Sequence, residues 1–286
     1  MDIKKMNYKG KSLDGFEYAF CSLLDASGAG PLPKIAPDCM SFRALAFSFT
    51  ENLEECFQPA IGWREYMENL GRYLGVRDAL TLEGCDVFFM ERFPKDTWVM
   101  FGEFPHCWGI ESIQNKVYRG CPAYYLCRKH SETGYLVCDP IASPVQMVTK
   151  EEIQAKMESG CGFVAYFNRI PKLRITSPQN IIADAVEWRK DNPGLWLEKR
   201  ECLIEKACKS RGSRKYAFSY GLMNYQIQAG KAIEFAGSAG CFGRADHQKL
   251  LEMLYRLPTV PKTGSYSVIG ELDSAIWEKL INWKRG

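Results

Sequence analysis

The sequence predicts an α+β region of about 170 residues followed by a helical region of about 110. Three observations carry this. Short β-branched and aromatic runs crowd residues 84–140, helix-like periodicity dominates beyond Lys172, and the charge balance changes sign at the same place. Residues 172–286 hold 19 Lys+Arg against 12 Asp+Glu, whereas residues 1–171 hold 18 against 22. The two expected regions are therefore 1–171 and 172–286.

In chain order, a helix is expected over about Phe16–Ala26, stopped by Gly28-Ala29-Gly30-Pro31. A second, over 62–74, puts Trp63, Tyr66, Met67, Leu70 and Leu74 on one face. Strands are expected at Cys85–Met90, Thr97–Phe101, Cys107–Ile113, Ala123–Arg128 and Tyr135–Cys138. The last two flank Lys129-His130-Ser131-Glu132-Thr133-Gly134, a polar, Gly-containing hairpin loop. Thr149-Lys150-Glu151-Glu152 is a capping box, in which the Thr hydroxyl and the Glu carboxylate cap each other's backbone N–H; it opens a helix to about Glu158. A strand over Cys161–Asn168 comes next, then a boundary at Arg169-Ile170-Pro171-Lys172. Helices are expected at Ile181–Lys190, Leu195–Lys209, Tyr216–Phe235, Ala245–Leu257 and Leu272–Trp283.

The composition is that of a globular protein: 46% hydrophobic, 25% charged, formal charge +3. The start, Met1-Asp2-Ile3-Lys4-Lys5, lacks the apolar core of a signal peptide, and no apolar run reaches membrane-spanning length. A soluble, cytoplasmic protein with reduced thiols is expected, with no membrane partner. The 12 Cys read mostly as buried hydrophobes. There is no C-x-x-C, and the closest pairs are Cys121/Cys127 and Cys202/Cys208, so no metal site is expected. Walker A, dinucleotide-binding, H-E-x-x-H and G-x-S-x-G motifs are absent, which disfavours ATP, NAD and serine-hydrolase chemistry.

Thiol chemistry remains. A cysteine nucleophile needs stabilisation of its thiolate, from a helix N-terminus or an imidazole, and a group to orient that imidazole. Cys21 is a candidate on residues alone, being near the start of the apolar helical stretch Phe20–Ala26, where helix-terminal N–H groups are expected to face it.

Phe20-Cys21-Ser22-Leu23-Leu24, Phe42-Arg43-Ala44-Leu45-Ala46-Phe47-Ser48-Phe49, the strand ending Tyr135-Leu136-Val137-Cys138-Asp139-Pro140, and the Thr149-x-x-Glu152 helix occur in that order. This pattern resembles the papain-like cysteine acyltransferases, in the subgroup of the butirosin-pathway and closthioamide-pathway transacylating enzymes. The resemblance spans about residues 15–168 by motif order, and 172–286 by helical character only. It implies a papain-like core with an antiparallel sheet, followed by the helical region, with Cys21 as nucleophile and Asp139 as the orienting acid. The family's histidine position falls near Pro122-Ala123-Tyr124, where no His stands. Of the available His106, His130 and His247, His106 is assigned as base because it opens a strand run, Pro105-His106-Cys107-Trp108, expected in the same sheet as Asp139. His130 lies in the hairpin loop and His247 in the first turn of a C-terminal helix. Glu103 and Glu111 are alternative acids. No Gln precedes Cys21, which leaves Asn7 or backbone N–H groups as oxyanion donors.

The function implied is acyl transfer from a carrier-protein thioester, through an acyl-cysteine, to a small amine, forming an amide in nonribosomal-peptide-like, antibiotic-type biosynthesis. No cofactor is bound on this reading; the phosphopantetheine arm arrives on the carrier. The basic stretch Lys199, Arg200, Lys206, Lys209, Arg211, Arg214 and Lys215 would dock an acidic acyl or peptidyl carrier protein. Its plainer alternative is a solvated helix face and loop, and a nucleic-acid partner is not expected because aromatics do not alternate with the basic residues. A cysteine peptidase or amidase, and a non-catalytic papain-like binding module, are the alternative functions.

Overall fold

A computed structural model describes residues 15–30, 47–48, 58–59, 63–84, 94–104, 123–138, 145–158, 162–191, 229–257 and 265–285, together with Lys209 and Gln226. The chain divides into two compact units. One comprises Met1–Pro37 with Met67–Ile175, the other Asp38–Tyr66 with Thr176–Gly286.

The first unit is built on a six-stranded sheet among the described residues. Its strands are β3 (Leu80–Gly84), β4 (Val99–Phe104), β5 (Ala123–Lys129), β6 (Gly134–Cys138), β7 (Gln146–Thr149) and β8 (Phe163–Phe167), in the order β3-β8-β4-β5-β6-β7. Every neighbouring pair is antiparallel. Directly paired residues share a face, so the register sorts the side chains. Val99, Phe101, Tyr125, Cys127, Tyr135, Val137 and Val164 pack with Ile153 of α3 (Lys150–Glu158) in one buried cluster. The opposite face carries Met100, Leu126 and Cys138, aligned through the pairs Met100↔Leu126 and Leu126↔Cys138.

That second face is covered by α1 (Gly15–Ala26), which packs on β5 and β4. Ala19, Phe20, Cys21, Leu23 and Leu24 are all fully buried, and the Phe20 ring lies 6.2 Å from that of Phe167. Gly102 faces Phe163 across the β4–β8 pair, and a side chain at 102 would run into the phenyl ring. α1 closes as a Schellman motif. Gly28 takes φ +81°, its N–H donates to the Asp25 carbonyl, and the Ala29 N–H donates to the Leu24 carbonyl.

The expected hairpin is present as β5 and β6, with the His130 N–H donating to the Gly134 carbonyl at 2.9 Å. The capping box forms reciprocally. The Thr149 N–H donates to Glu152 Oε2 at 2.7 Å, and the Glu152 N–H to Thr149 Oγ1 at 3.2 Å. The helix α2 (Trp63–Tyr73) buries Met67 and Leu70 at the expected spacing. The strand runs expected at Cys85–Met90 and Cys107–Ile113 lie outside the described residues.

In the second unit, β1 (Phe47–Ser48) pairs antiparallel with β2 (Gln58–Pro59). Its helices are α4 (Pro178–Asp191), α5 over residues 229–238, α6 (Arg244–Tyr255) and α7 (Ser265–Arg285). α7 packs on α4 and α6 through a core that includes Ile181, Val186, Leu250, Ile269, Leu272, Ile276 and Leu280. Among the described residues no helix is long and apolar enough to cross a membrane. The α+β class is thus the observed one, with an antiparallel sheet and helices that include a C-terminal group.

Candidate site around Cys21

Cys21 is the seventh of the twelve residues of α1. That corrects the expected placement: the N–H groups left unpaired by a helix belong to its first turn, and Cys21 lies in the second. The N-terminus of α1 therefore does not face this thiol. The residue is also wholly enclosed, at 0% exposure, within a run from Ala19 to Leu24 that is buried at every position. Ser22, its neighbour, is buried too and donates its hydroxyl to the Tyr18 carbonyl at 2.8 Å.

Two side chains share the surroundings of Cys21. Tyr18 stands three residues earlier on α1 and is half-buried. Cys138, buried at the end of β6, projects from the sheet face that α1 covers. Burial raises the Tyr18 phenol above its ordinary pKa, and the thiols of Cys138 and then Cys21 push it further the same way.

His106 and Asp139 lie outside the described residues, as do Lys199, Arg200, Lys206, Arg211, Arg214 and Lys215. The alternatives Asn7 and Glu111 lie outside them as well. The path of the chain toward two of them is described. β4 and β6 are each antiparallel to β5 and hence parallel to each other, so both leave the sheet at the same end. His106 comes two positions after the last residue of β4, and Asp139 directly after Cys138. Between Gly102 and Phe104 the register against β5 shifts, leaving Glu103 as an extra residue in β4. Such a bulge bends the strand.

The other two histidines are both among the described residues. His130 is exposed in the β5–β6 loop. His247, in the first turn of α6, holds Nε2 3.5 Å from Glu234 Oε2, and its ring lies against Gly237 of α5. Lys209 is helical and exposed.

The remaining described cysteines behave as structural thiols. Cys127 lies in the sheet core, where burial pushes its thiol far above the ordinary value, and burial raises Cys241 to about 11. Among the described residues no group of three or more His, Cys, Asp or Glu could hold a metal ion.

No protein-family model, curated protein or solved structure matches the chain.

Proposed function

We propose that the protein is a thiol-dependent acyltransferase with a papain-like catalytic region, in which Cys21 is the nucleophile, His106 the base and Asp139 the orienting acid. Supporting this is one relationship: α1, which carries Cys21, covers the sheet face on which Cys138 ends β6, and the strands leading to His106 and Asp139 leave the sheet at a common end. A common strand direction of this kind is compatible with a dispersed triad.

In the reaction His106 takes the thiol proton as the Cys21 sulfur attacks the carbonyl carbon of a carrier-bound thioester. The tetrahedral adduct collapses with cleavage of the carbonyl carbon–sulfur bond to pantetheine, whose thiolate receives the proton from His106. An amine then attacks the acyl-cysteine, gives its proton to His106, and the Cys21 thiolate leaves and is reprotonated. Amide formation over hydrolysis demands a water-poor acceptor site. The enclosure of Cys21 is consistent with a water-poor site, and substrate entry requires the cover over the thiol to open. The basic stretch from Lys199 to Lys215 would receive the acidic carrier protein.

Intact-protein mass spectrometry after incubation with an acyl-carrier thioester tests this. An adduct of the acyl mass that is lost in Cys21→Ala is expected. No adduct, or one that survives Cys21→Ala, overturns the assignment.

The complete burial of Cys21 favours a second reading, a non-catalytic module that keeps the thiol as core. Under that reading Cys21 alkylates in the native protein only as fast as α1 lifts from the sheet, and no carrier dependence appears.

A further inference from the structure

In the first unit, residues 74–79 and 168–174 run antiparallel and are tied at both ends by the backbone. The Arg174 N–H donates to the Leu74 carbonyl at 2.8 Å, and the Asn168 N–H to the Ala79 carbonyl at 2.9 Å. This pairing gathers Arg77, Arg169, Lys172 and Arg174, all exposed, against the single carboxylate of Asp78. Arg169 Nη2 donates to the Asp78 backbone carbonyl at 3.4 Å, and among the described residues none of the four cations forms an ion pair. Asp25, exposed near the end of α1, pairs with none of them either. Ile170 stands among the cations, 70% exposed, and a Cβ at Gly28 would lie 3.7 Å from its Cγ2. The patch therefore adjoins the C-terminal end of α1, the helix that carries Cys21.

Like charges held together without counter-charges repel one another, and a partner that brings carboxylates relieves the repulsion. Residues 1–171 hold 18 Lys+Arg against 22 Asp+Glu, so the patch is a positive spot in a region of net negative charge. A long nucleic-acid strand running past it meets repulsion, and neither segment carries an aromatic side chain for base stacking. A folded acidic protein concentrates its charge over a small area, and an apolar side chain among its carboxylates meets Ile170.

We propose that Arg77, Arg169, Lys172 and Arg174, around Ile170, form a docking surface for an acidic protein, the acyl carrier. Naming the carrier rests on the acyl-transfer reading, and this contact is additional to the stretch from Lys199 to Lys215. Gly28 comes seven residues after Cys21, about 10 Å at helical rise, so a carrier seated there stands beside the helix of the nucleophile.

The test is fluorescence anisotropy of a labelled acyl carrier protein bearing phosphopantetheine, titrated with the full chain, for wild type and Arg77→Glu/Lys172→Glu. At ~0.1 M salt the variant is expected to bind about tenfold more weakly, with an unchanged circular-dichroism spectrum. Equal binding by the two proteins, or no binding by wild type, overturns the proposal. Loss of affinity for a short DNA duplex rather than for the carrier assigns the patch to nucleic acid and overturns it too. Should the variant not fold, Arg77→Gln/Lys172→Gln takes its place and equal binding overturns the proposal in the same way. Acylation of Cys21 by an acyl-N-acetylcysteamine, a small thioester, needs no docking surface. An adduct from that donor with equal carrier binding sinks the surface alone, and weakened carrier binding without any adduct sinks acyl transfer alone.

Discussion

Arg189 of α4 donates through Nη2 to Asp273 Oδ2 of α7 at 3.2 Å, and the two side chains are only 13% and 4% exposed. The guanidinium also lies 5.3 Å from the centroid of the Trp277 ring. Two helices far apart in sequence are thereby tied by a charge pair inside an apolar core. Removing the carboxylate leaves a largely buried guanidinium without this partner, and broken buried pairs of this kind cost about 3 kcal/mol. Asp273→Ala is expected to lower stability in urea by that amount. Arg189→Met with Asp273→Leu should lose clearly less than the two single changes added, since no charge remains unpaired. Additive losses would show that the pair contributes no coupling.

Gly75 ends α2 with φ +69°, and a Cβ there would stand 2.6 Å from the Arg174 carbonyl oxygen. The same segment is fixed by the Arg174 N–H, which donates to the Leu74 carbonyl at 2.8 Å. Gly30 has φ +81° and, among the described residues, no atom within 4 Å of its would-be Cβ. Both incur the left-handed penalty when given a side chain, about 1 kcal/mol. Only Gly75 adds a clash with backbone that cannot swing away. Gly75→Ala is therefore expected to cost about 2 kcal/mol more than Gly30→Ala in chemical denaturation, and equal losses would refute the steric component.

Legibility in the sequence tracks the range of the interaction. The β5–β6 hairpin and the Thr149/Glu152 capping box are legible because their partners lie within a few residues. The boundary of α7 is not. The helix starts at Ser265, before the expected Leu272, and runs through Gly270. Ile269 in that extra stretch is fully buried, so packing outweighs the weak local propensity of Ser, Val and Gly. β7 escapes the sequence for a related reason. Gln146 and Met147 are exposed and only Val148 of the strand is buried, so little alternation marks it, and pairing with β6 supplies its order. At the candidate site, Cys21 is visible as a residue type, but its depth in α1 depends on where the helix begins.

Glu187 is held by two cations, Lys284 Nζ at 2.6 Å and Lys190 Nζ at 2.9 Å. Hydrogen bonds from Lys284 and then Lys190 lower its carboxyl from the ordinary 4.5 to about 2. A depressed folded-state value means the carboxylate stabilises the fold fully above about pH 4.5, and that contribution fades as pH falls toward 2. Glu187→Gln is expected to flatten the dependence of Tm on pH between about 5 and 2 relative to wild type. The group is exposed, so the difference should shrink in high salt. Parallel Tm–pH curves for the two proteins would show that the ion pairs do not persist in solution.

Cys127 and Cys241 offer a contrast to Cys21 within the same molecule. Burial raises both thiols, Cys241 to about 11 and Cys127 further still, so neither forms appreciable thiolate near pH ~8. Cys127 points into the cluster with Val99, Tyr125 and Val164, and reaching it requires the sheet to come apart. Its alkylation by iodoacetamide in native buffer is expected to proceed at the rate of global opening and to accelerate in step with urea. A Cys21 activated for catalysis reacts ahead of Cys127 and without that urea dependence at low denaturant. Peptide mapping across a urea series reads both rates in one experiment, and identical urea dependence for the two cysteines would assign Cys21 to the core rather than to a working site.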